Sequence, residues 1–594
     1  MGPNAGYNAQ KNRAVAIGDN AGYDLQAQSA VAVGNKAGRE NQQELAVAVG
    51  YESGRVSQGQ NAVAVGNQAG KTSQGIYAVA VGVNAGNNTQ GNYTVAIGNS
   101  AGNDRQKIGA IAIGNSAGQI TQDEDAIAIG KSAGYTSQGT FSVAIGTNAG
   151  NSGQESQSIA IGNKAGNSSQ KFNSVAIGAM AAETSQGDNA IAVGYTAGNN
   201  TQSNHTVAIG NGAGKNTQKE FGIAIGYDAG QNTQSTKSIA VGANAGQTTQ
   251  GESSVAIGDQ AGKTSQGNYT VALGINAGNN TQGNHAVAIG NGAGKTTQKE
   301  FGIAIGYDAG QNTQSTNAIA IGANAGLTTQ GENSVSIGYE SGKSRQKDFS
   351  VAIGPYAGYL DQARASVAVG PNAGKENQGV SAVAVGDQAA QFTQSNYAVA
   401  IGVNAGQNSQ GLNAVAIGSG AGQTNQGTNS VALGVASSST GSTATALGAI
   451  ASAAHSNSTA IGYQATTTAD NTIQLGNTSV TSVNTSAAIN AKSFYLNSSN
   501  SITAGNTTTI DLSNNNIFKI SLGTDIATLS LNNAKPGTYI IEIIQGGTYN
   551  VSFPSAWRWA SGLIPIITPT ANKIDIVTLV YDGSTYFAST VQNF

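Results

Sequence analysis

The sequence contains no cysteine, and only 3 of its 594 residues are histidine and 7 proline. Without cysteine the fold has neither disulfides nor thiolate metal ligands, although this fits an extracellular or a cytoplasmic protein equally well. Charged residues make up 10% of the chain and the net charge is −3. Such a composition excludes the basic surface of a nucleic-acid-binding protein.

Membrane segments are also missing from the sequence. No run of about 18 apolar residues occurs, and the first residues lack a basic region followed by an apolar one. We therefore expect no signal peptide and no direct membrane insertion. The opening residues 2–6 repeat residues 370–374, which is the pattern of a fragment that begins within a repeat.

Catalytic and metal-binding motifs are not found either. His205, His285 and His455 lie far apart in the sequence, with no acidic cluster to complete a metal site. The segments 258–264 and 290–296 resemble phosphate loops, but their glycines are one residue too close for a Walker motif. No nucleophile elbow is present. The sequence predicts no enzymatic activity, no cofactor and no bound metal.

What the sequence has in abundance is repetition. A glycine ends a Val-Ala-Ile-Gly-like run at Gly18 and at every sixteenth residue to Gly434, and residue 2 extends this series to 28 coils. The spacing then shortens to 14 residues, at Gly448, Gly462 and Gly476. Repeats of this length indicate a solenoid, here of 31 coils. At about 4.8 Å per coil the solenoid would be about 150 Å long.

Each repeat contains a strand with one bulky face and one small face. Val15 and Ile17 alternate with Ala14 and Ala16, the period of two that a strand requires. We expect the bulky face to fill the coil and the small face to contact other chains. Glycine-containing stretches, such as residues 72–75, are expected to form the corners. So thin a core predicts that several chains pack together.

Two further columns follow the repeat. Glutamine occupies every sixteenth position from Gln10 to Gln426. Stacked amides can form a ladder that fixes register, so we assign a structural ladder to this column. It begins with Gln10, Gln26, Gln42, Gln58, Gln74 and Gln90.

Three residues after the glutamine, rings collect at Tyr77, Tyr93, Phe141, His205, Phe221, Tyr269, His285, Phe301, Phe349 and Tyr397. A chain–chain contact and a ligand-binding track both explain this aromatic column.

The repeat resembles a known family. Residues 173–178 read Asn-Ser-Val-Ala-Ile-Gly, which is similar to the head repeats of YadA-like trimeric adhesins, and the 14-residue coils are the most similar part. The resemblance implies a left-handed parallel β-roll, three chains wide, carried on cell or virus surfaces for attachment. The 16-residue coils depart from that pattern, and neither a heptad stalk nor a recognisable membrane anchor is found.

Near residue 493 aromatic and β-branched residues replace the repeat. The segments 534–539, 551–554, 569–575 and 581–583 form an ordered series that is similar to terminal domains of phage and large-virus tail or surface fibres. Within it, exposed rings would suit a glycan or protein receptor, whereas buried rings would form the core. The candidate tip-binding residues are Tyr549, Trp557, Trp559, Tyr581 and Tyr586.

The sequence thus predicts an all-β protein with four regions. These are a solenoid of 16-residue coils over 1–434, 14-residue YadA-head-like coils over 435–478, a neck over 479–492, and a C-terminal antiparallel β-sandwich-like domain over 493–594.

The expected function is a homotrimeric virion fibre or adhesin on the extracellular surface. It acts as a rigid spacer that presents a C-terminal tip to a host glycan or protein receptor. Two alternatives stay open: a structural filament whose end domain trimerises or caps the solenoid, and an ice-binding surface of intermittent threonines such as Thr89, Thr121 and Thr201.

Overall fold

A computed structural model of the chain describes residues 2–480, 482–484, 499–513 and 515–594. This part of the chain consists of strands and turns, without a helix. It divides into two compact units, Met1–Thr481 and Ser482–Phe594. The region limits at 435, 479 and 493 stay predictions, and most of the predicted neck, 479–492, lies outside the described residues.

The first unit is a parallel β-solenoid of about 31 turns. One side is a sheet of 30 parallel strands, here called the first sheet. Its three-residue strands begin at Val15–Ile17, recur every 16 residues to Val431–Leu433, and continue as Thr445–Leu447, Thr459–Ile461 and Ile473–Leu475. Equivalent residues of successive coils pair, as Val15 does with Val31 and Ala16 with Ala32. The predicted β-solenoid is therefore confirmed.

The other side, the second sheet, carries the glutamines. Its strands recur every 16 residues in three series, from Asp24–Gln26 to Ser168–Gln170, from Ser185–Gln186 to Thr329–Gln330, and from Leu360–Gln362 to Thr424–Gln426. The prediction that stretches such as 72–75 form corners was wrong, because Thr72–Gln74 is a strand. Ser73 has a φ of 51°, which bends this short strand while Gln74 still points inward. The turns lie elsewhere, for example at 18–22 and 27–30.

Apart from the glutamine column, the solenoid interior is filled by small side chains, opposite to what was predicted. Ala32 is fully buried, whereas Val31 and Val33 on the same strand are only half-buried. The space inside a coil is too small for large aliphatic residues beside the glutamine. A Cβ built at Gly70, in the turn that follows the first sheet, would already lie 3.2 Å from the Ala64 Cβ. The bulky face therefore points outward, and any chain–chain contact through the first sheet involves Val and Ile rather than Ala.

The described residues of the second unit form eight strands. In chain order these are β1 (Ser499–Thr503), β2 (Thr507–Asp511), β3 (Ile517–Leu522), β4 (Thr528–Asn532), β5 (Gly537–Gln545), β6 (Arg558–Trp559), β7 (Ile574–Tyr581) and β8 (Tyr586–Val591). Six form one sheet in the order β1-β3-β5-β7-β8-β6, and β2 pairs with β4.

The pairing in this unit is mixed. The expected antiparallel pairing holds for β5 with β7 and for β7 with β8. By contrast, β1 with β3, β3 with β5, β2 with β4, and β6 with β8 are parallel. The core of the unit includes the buried residues Phe518, Ile541, Ile543 and Leu579.

Candidate interaction surfaces

The glutamine column lies inside the solenoid. Gln26 is fully buried, and its Nε2 donates hydrogen bonds to the Val15 carbonyl at 2.9 Å, the Ala30 carbonyl at 3.3 Å and the Gln42 Oε1 at 3.0 Å. One amide thus bridges the two sheets of its coil, holds a corner and reaches the next coil. The bond across the coil was not foreseen from the sequence, because stacking alone predicts only the bond along the axis.

The same contacts recur along the column, with interruptions. Gln42 bonds to Gln58 at 3.0 Å and Gln58 to Gln74 at 3.0 Å, but the Gln90 Oε1 is buried without a partner in the described part of the chain. Gln10, in the first coil, is exposed and bonds to the Ala14 carbonyl at 3.0 Å. At the other end Gln426 donates to the Ser439 hydroxyl at 3.2 Å, where the 14-residue coils begin.

Two columns of glycine, which recur at 16-residue spacing, allow the coils to pack this closely. The first column contains Gly226 and the second contains Gly230. Gly226 has a φ of 132°, and a Cβ there would lie 2.6 Å from the carbonyl oxygen of Gly242 in the next coil. Gly230 has a φ of 54°, and its Cβ would meet two side chains, the Gln234 amide at 3.0 Å and the Ala224 Cβ at 3.3 Å. Alanine replaces the second type of glycine at Ala182 and Ala390 with similar φ values. In the first column a side chain would thus collide with the backbone of the next coil, whereas in the second column it would meet only side-chain atoms.

The aromatic column lies on the surface of the solenoid. Its Tyr and Phe residues are between 46% exposed, at Phe221, and 61% exposed, at Tyr93. Neighbouring rings stack in parallel, with centroids 5.2 Å apart for Tyr269 and His285 and 5.0 Å for His285 and Phe301. Stacking occupies the ring faces and leaves the edges outward. A sugar needs a free ring face, so these stacks suit edge contacts with protein better than glycan binding.

The outer face of the first sheet is apolar along the 16-residue coils, whereas the 14-residue coils place Thr445 and Thr459 on it. Each 16-residue coil contributes two outward side chains, and most are Val or Ile. Ile97, Ile257 and Ile401 are 39%, 37% and 39% exposed in the single chain. Because these residues pair in register from coil to coil, they form one continuous surface, here called the Val/Ile face. A patch of this extent marks an interface.

One carboxylate of the solenoid is surrounded by cations from its own coil and from the coils on either side. Glu52 has a side chain only 8% exposed, with the Lys71 Nζ 3.0 Å, the Arg55 Nη1 3.4 Å and the Lys36 Nζ 3.7 Å from its oxygens. Burial acts to raise the pKa of Glu52, but the hydrogen bond from Lys71 and the charges of all three cations outweigh it and hold the pKa below 4.5. The cluster joins successive coils and is structural.

The structure brings together four of the five candidate tip residues. Trp557 is buried, and its ring lies 5.9 Å from that of Trp559 and 6.0 Å from that of Tyr586. Tyr581 stacks on Tyr586 at 4.3 Å, and burial together with Tyr581 raises the pKa of Tyr586. Tyr549 lies outside this cluster, where its carbonyl accepts a hydrogen bond from Gln545 at 2.6 Å. All five rings contact the core of the unit.

A different part of the second unit exposes large apolar side chains. Leu563 and Ile566, in the loop 560–567, are 77% and 78% exposed. The buried Asp575 helps to hold the end of this loop, since it accepts hydrogen bonds from the Thr568 hydroxyl at 2.7 Å and the Asn593 amide at 2.9 Å. This loop was not predicted from the sequence, because only aromatic residues were considered as binding candidates. The Ile-Pro-Ile run at residues 564–566 was the available signal of an apolar loop.

A parallel β-solenoid in which each coil contacts its neighbours is the architecture of a quasi-one-dimensional repeat protein. Residues 314–341, 426–449 and 456–489 match the YadA head domain repeat. The chain therefore carries YadA head repeats, and the resemblance drawn from its 14-residue coils is confirmed. None of the curated proteins compared matches the chain. The repeats and the β-solenoid fit a trimeric adhesin-type fibre.

Two features are missing from the described residues. No helix among them is long and apolar enough to cross a membrane. No three His, Asp or Glu side chains among them converge as a metal site would require. The similarity of the C-terminal unit to viral fibre domains stays a prediction from its sequence motifs.

Proposed function

We propose that the chain forms a homotrimeric extracellular surface fibre, in which the solenoid is a rigid spacer and the C-terminal unit binds a host-surface glycan or protein receptor. The observation that carries the proposal is the Val/Ile face, which continues along the first sheet from Val15–Ile17 to Val431–Leu433. Burying it between three copies would remove a large apolar area from water, at about 25 cal/mol per Å². The number three comes from the match to YadA head repeats.

Receptor binding is assigned to the C-terminal unit because the solenoid surface repeats from coil to coil. A repeated surface offers little to distinguish one site from another, whereas loops on a separate domain are suited to specific contacts. Leu563 and Ile566 are the most prominent exposed apolar side chains there. The order of the C-terminal sequence motifs favours a virion fibre over a bacterial surface protein.

The test is binding of the purified full-length protein to a glycan array and to candidate host cells. It is compared with a chain that lacks residues 493–594 and with the full-length variant Leu563→Ser/Ile566→Ser. The variant should keep the mass and melting temperature of the wild type and lose most binding. Ser552→Ala, on an exposed residue outside this loop, is the matched control.

Binding retained after removal of 493–594 would refute a C-terminal receptor site. No binding by a properly trimeric full-length chain would favour a structural filament.

A further inference from the structure

A depression lies on the outward face of the C-terminal sheet, where β7, β8 and the edge strand β6 are neighbours. Its volume is about 290 Å³, which is close to the lower end of the range for ligand pockets, about 300–1,000 Å³. Three neighbouring strands span about 10 Å. The depression therefore has the size for a ligand of one or two rings.

Strand register places the lining side chains in two rows. In the first row, Val580 on β7 pairs with Phe587 on β8, and Phe587 pairs with Arg558 on β6. In the second row, Thr578 on β7 pairs with Ser589 on β8. The residues between these positions along β7 and β8 are buried in the core, so both rows face away from it. Apolar and polar side chains thus lie next to each other in the depression.

The charge of Arg558 is not neutralised within the described part of the chain. Arg558 is exposed, and no carboxylate there pairs with its guanidinium. Glu542, on the same face of the sheet, is already paired with Lys519 at 3.2 Å, and Asp582 accepts hydrogen bonds within the turn between β7 and β8. A guanidinium binds a carboxylate through two parallel hydrogen bonds. The depression therefore favours a ligand that carries a carboxylate.

The other side chains of the depression suit a sugar ring. Phe587 is 44% exposed and contacts no other ring among the described residues. Its face is therefore free for the C–H groups of a sugar, unlike the stacked rings of the aromatic column. The hydroxyls of Thr578 and Ser589 have no hydrogen-bond partner among those residues either, and a hydroxyl both donates to and accepts from sugar hydroxyls. Ala560 lines the depression and begins the loop 560–567, so the depression adjoins the loop to which receptor binding is assigned.

We propose that this depression binds a host glycan through a sugar ring that carries a carboxylate, as a sialic acid or a uronic acid does. Arg558 binds the carboxylate, Phe587 packs against the ring, and the hydroxyls of Thr578 and Ser589 orient it. This inference rests on the proposed function, because it names the sugar class and the residues of a receptor site in the C-terminal unit.

The test compares immobilised glycans that end in sialic acid or glucuronic acid with the same core glycans that end in a neutral hexose. Full-length wild type should bind one or both acidic glycans at least about tenfold more strongly than the neutral ones. Arg558→Gln should lose this difference and keep the mass and melting temperature of the wild type. Lys535→Gln, on an exposed cation outside the depression, is the matched control and should bind like wild type. If Arg558→Gln does not fold, Ser589→Tyr replaces it, because it fills the depression without changing the charge, and it should abolish binding.

A chain that lacks residues 493–594, measured in parallel, separates two kinds of failure. If binding requires these residues but does not distinguish acidic from neutral glycans, or is unchanged in the folded depression variant, the proposed sugar site is overturned and the C-terminal receptor role stands. Binding to host cells without binding to the acidic glycans has the same meaning. Binding that persists without residues 493–594, or no binding to cells or glycans, would overturn the proposed function and this inference with it.

Discussion

At the scale of single residues, the two glycine columns differ in what a methyl group would contact. Gly226→Ala places a Cβ against the backbone of the next coil at a φ of 132°, a region that L-residues avoid at a cost of about 1–3 kcal/mol before the clash is added. Gly230→Ala requires the Gln234 amide to shift and brings the new Cβ to 3.3 Å from the Ala224 Cβ, at a φ of 54° close to the values that Ala182 and Ala390 have at equivalent positions. We expect Gly226→Ala to lower the melting temperature clearly more than Gly230→Ala.

Hydrogen exchange of the amides between residues 210 and 242 should show the same order, because a repeat protein opens locally. If Gly226→Ala and Gly230→Ala change the melting temperature and the exchange rates equally, contact with the backbone of the next coil is not the reason for glycine at position 226.

The glutamine column is expected to stabilise the solenoid through buried polar contacts. Gln298 donates to the Val287 carbonyl at 2.8 Å, the Gly302 carbonyl at 2.9 Å and the Gln314 Oε1 at 3.0 Å. Gln298→Leu removes all three bonds and leaves buried groups unpaired, at about 1–3 kcal/mol for each group that finds no water.

Amide exchange around Val287 and Ile303 should therefore rise strongly in Gln298→Leu. Gln311→Leu is the matched control, because Gln311 lies in the next coil and is only partly buried. A melting temperature for Gln298→Leu equal to that of the control would show that the column does not contribute to stability.

Glu52 gives a pH prediction at the same scale. Its pKa is lowered in the folded protein, so the group contributes stability above its unfolded pKa, and this contribution is lost as the pH falls through the folded value. Wild type should melt at a higher temperature than Glu52→Gln at pH 7. The difference should shrink below about pH 4.5, the ordinary pKa of a Glu side chain. A difference that stays constant over this range would exclude the charge cluster as its cause.

At the scale of the elements, the strands of the first sheet have a small face inside and a large face outside. Ile305 lies on the Val/Ile face, whereas Thr313 lies on the second sheet, and both are partly exposed in the single chain. Ile305→Asp would bury carboxylates between chains, which is strongly unfavourable without partners. We expect Ile305→Asp to lower the melting temperature or dissociate the assembly, and Thr313→Asp to behave like wild type. Identical behaviour of the two variants would place the interface elsewhere.

How much of each strand could be predicted follows from the same geometry. The repeat length, the strands of the first sheet and the glutamine column could be read from the sequence, because period and spacing are local properties. The strands of the second sheet, such as Thr72–Gln74, could not, and corners were predicted there instead. Which face of the Val-Ala-Ile strand is inside could not, because alternation defines two faces and ranks neither. The decisive fact is long-range: the Gln26 amide reaches the Val15 carbonyl across the coil, so only residues as small as Ala16 and Ala32 fit beside it.

At the scale of the whole molecule, both units expose large apolar side chains. In the solenoid these form the Val/Ile face, and in the C-terminal unit they include Leu563 and Ile566 in the loop 560–567. Sequence motifs predicted both units, but in the C-terminal unit they drew attention to Trp557 and Tyr586, which pack in its interior. Aromatic residues attract attention in a sequence whether they bind a ligand or fill a core, and only packing distinguishes the two.

The central claim is that the Val/Ile face is buried between three copies of the chain. The most direct measurement is the mass of the purified full-length protein in solution by native mass spectrometry, where one chain has a mass of 59.1 kDa. The account predicts a single species of three chains that persists on dilution to nanomolar concentration. A monomer with the solenoid fold intact would contradict it, because the Val/Ile face would then be exposed to water along its entire length.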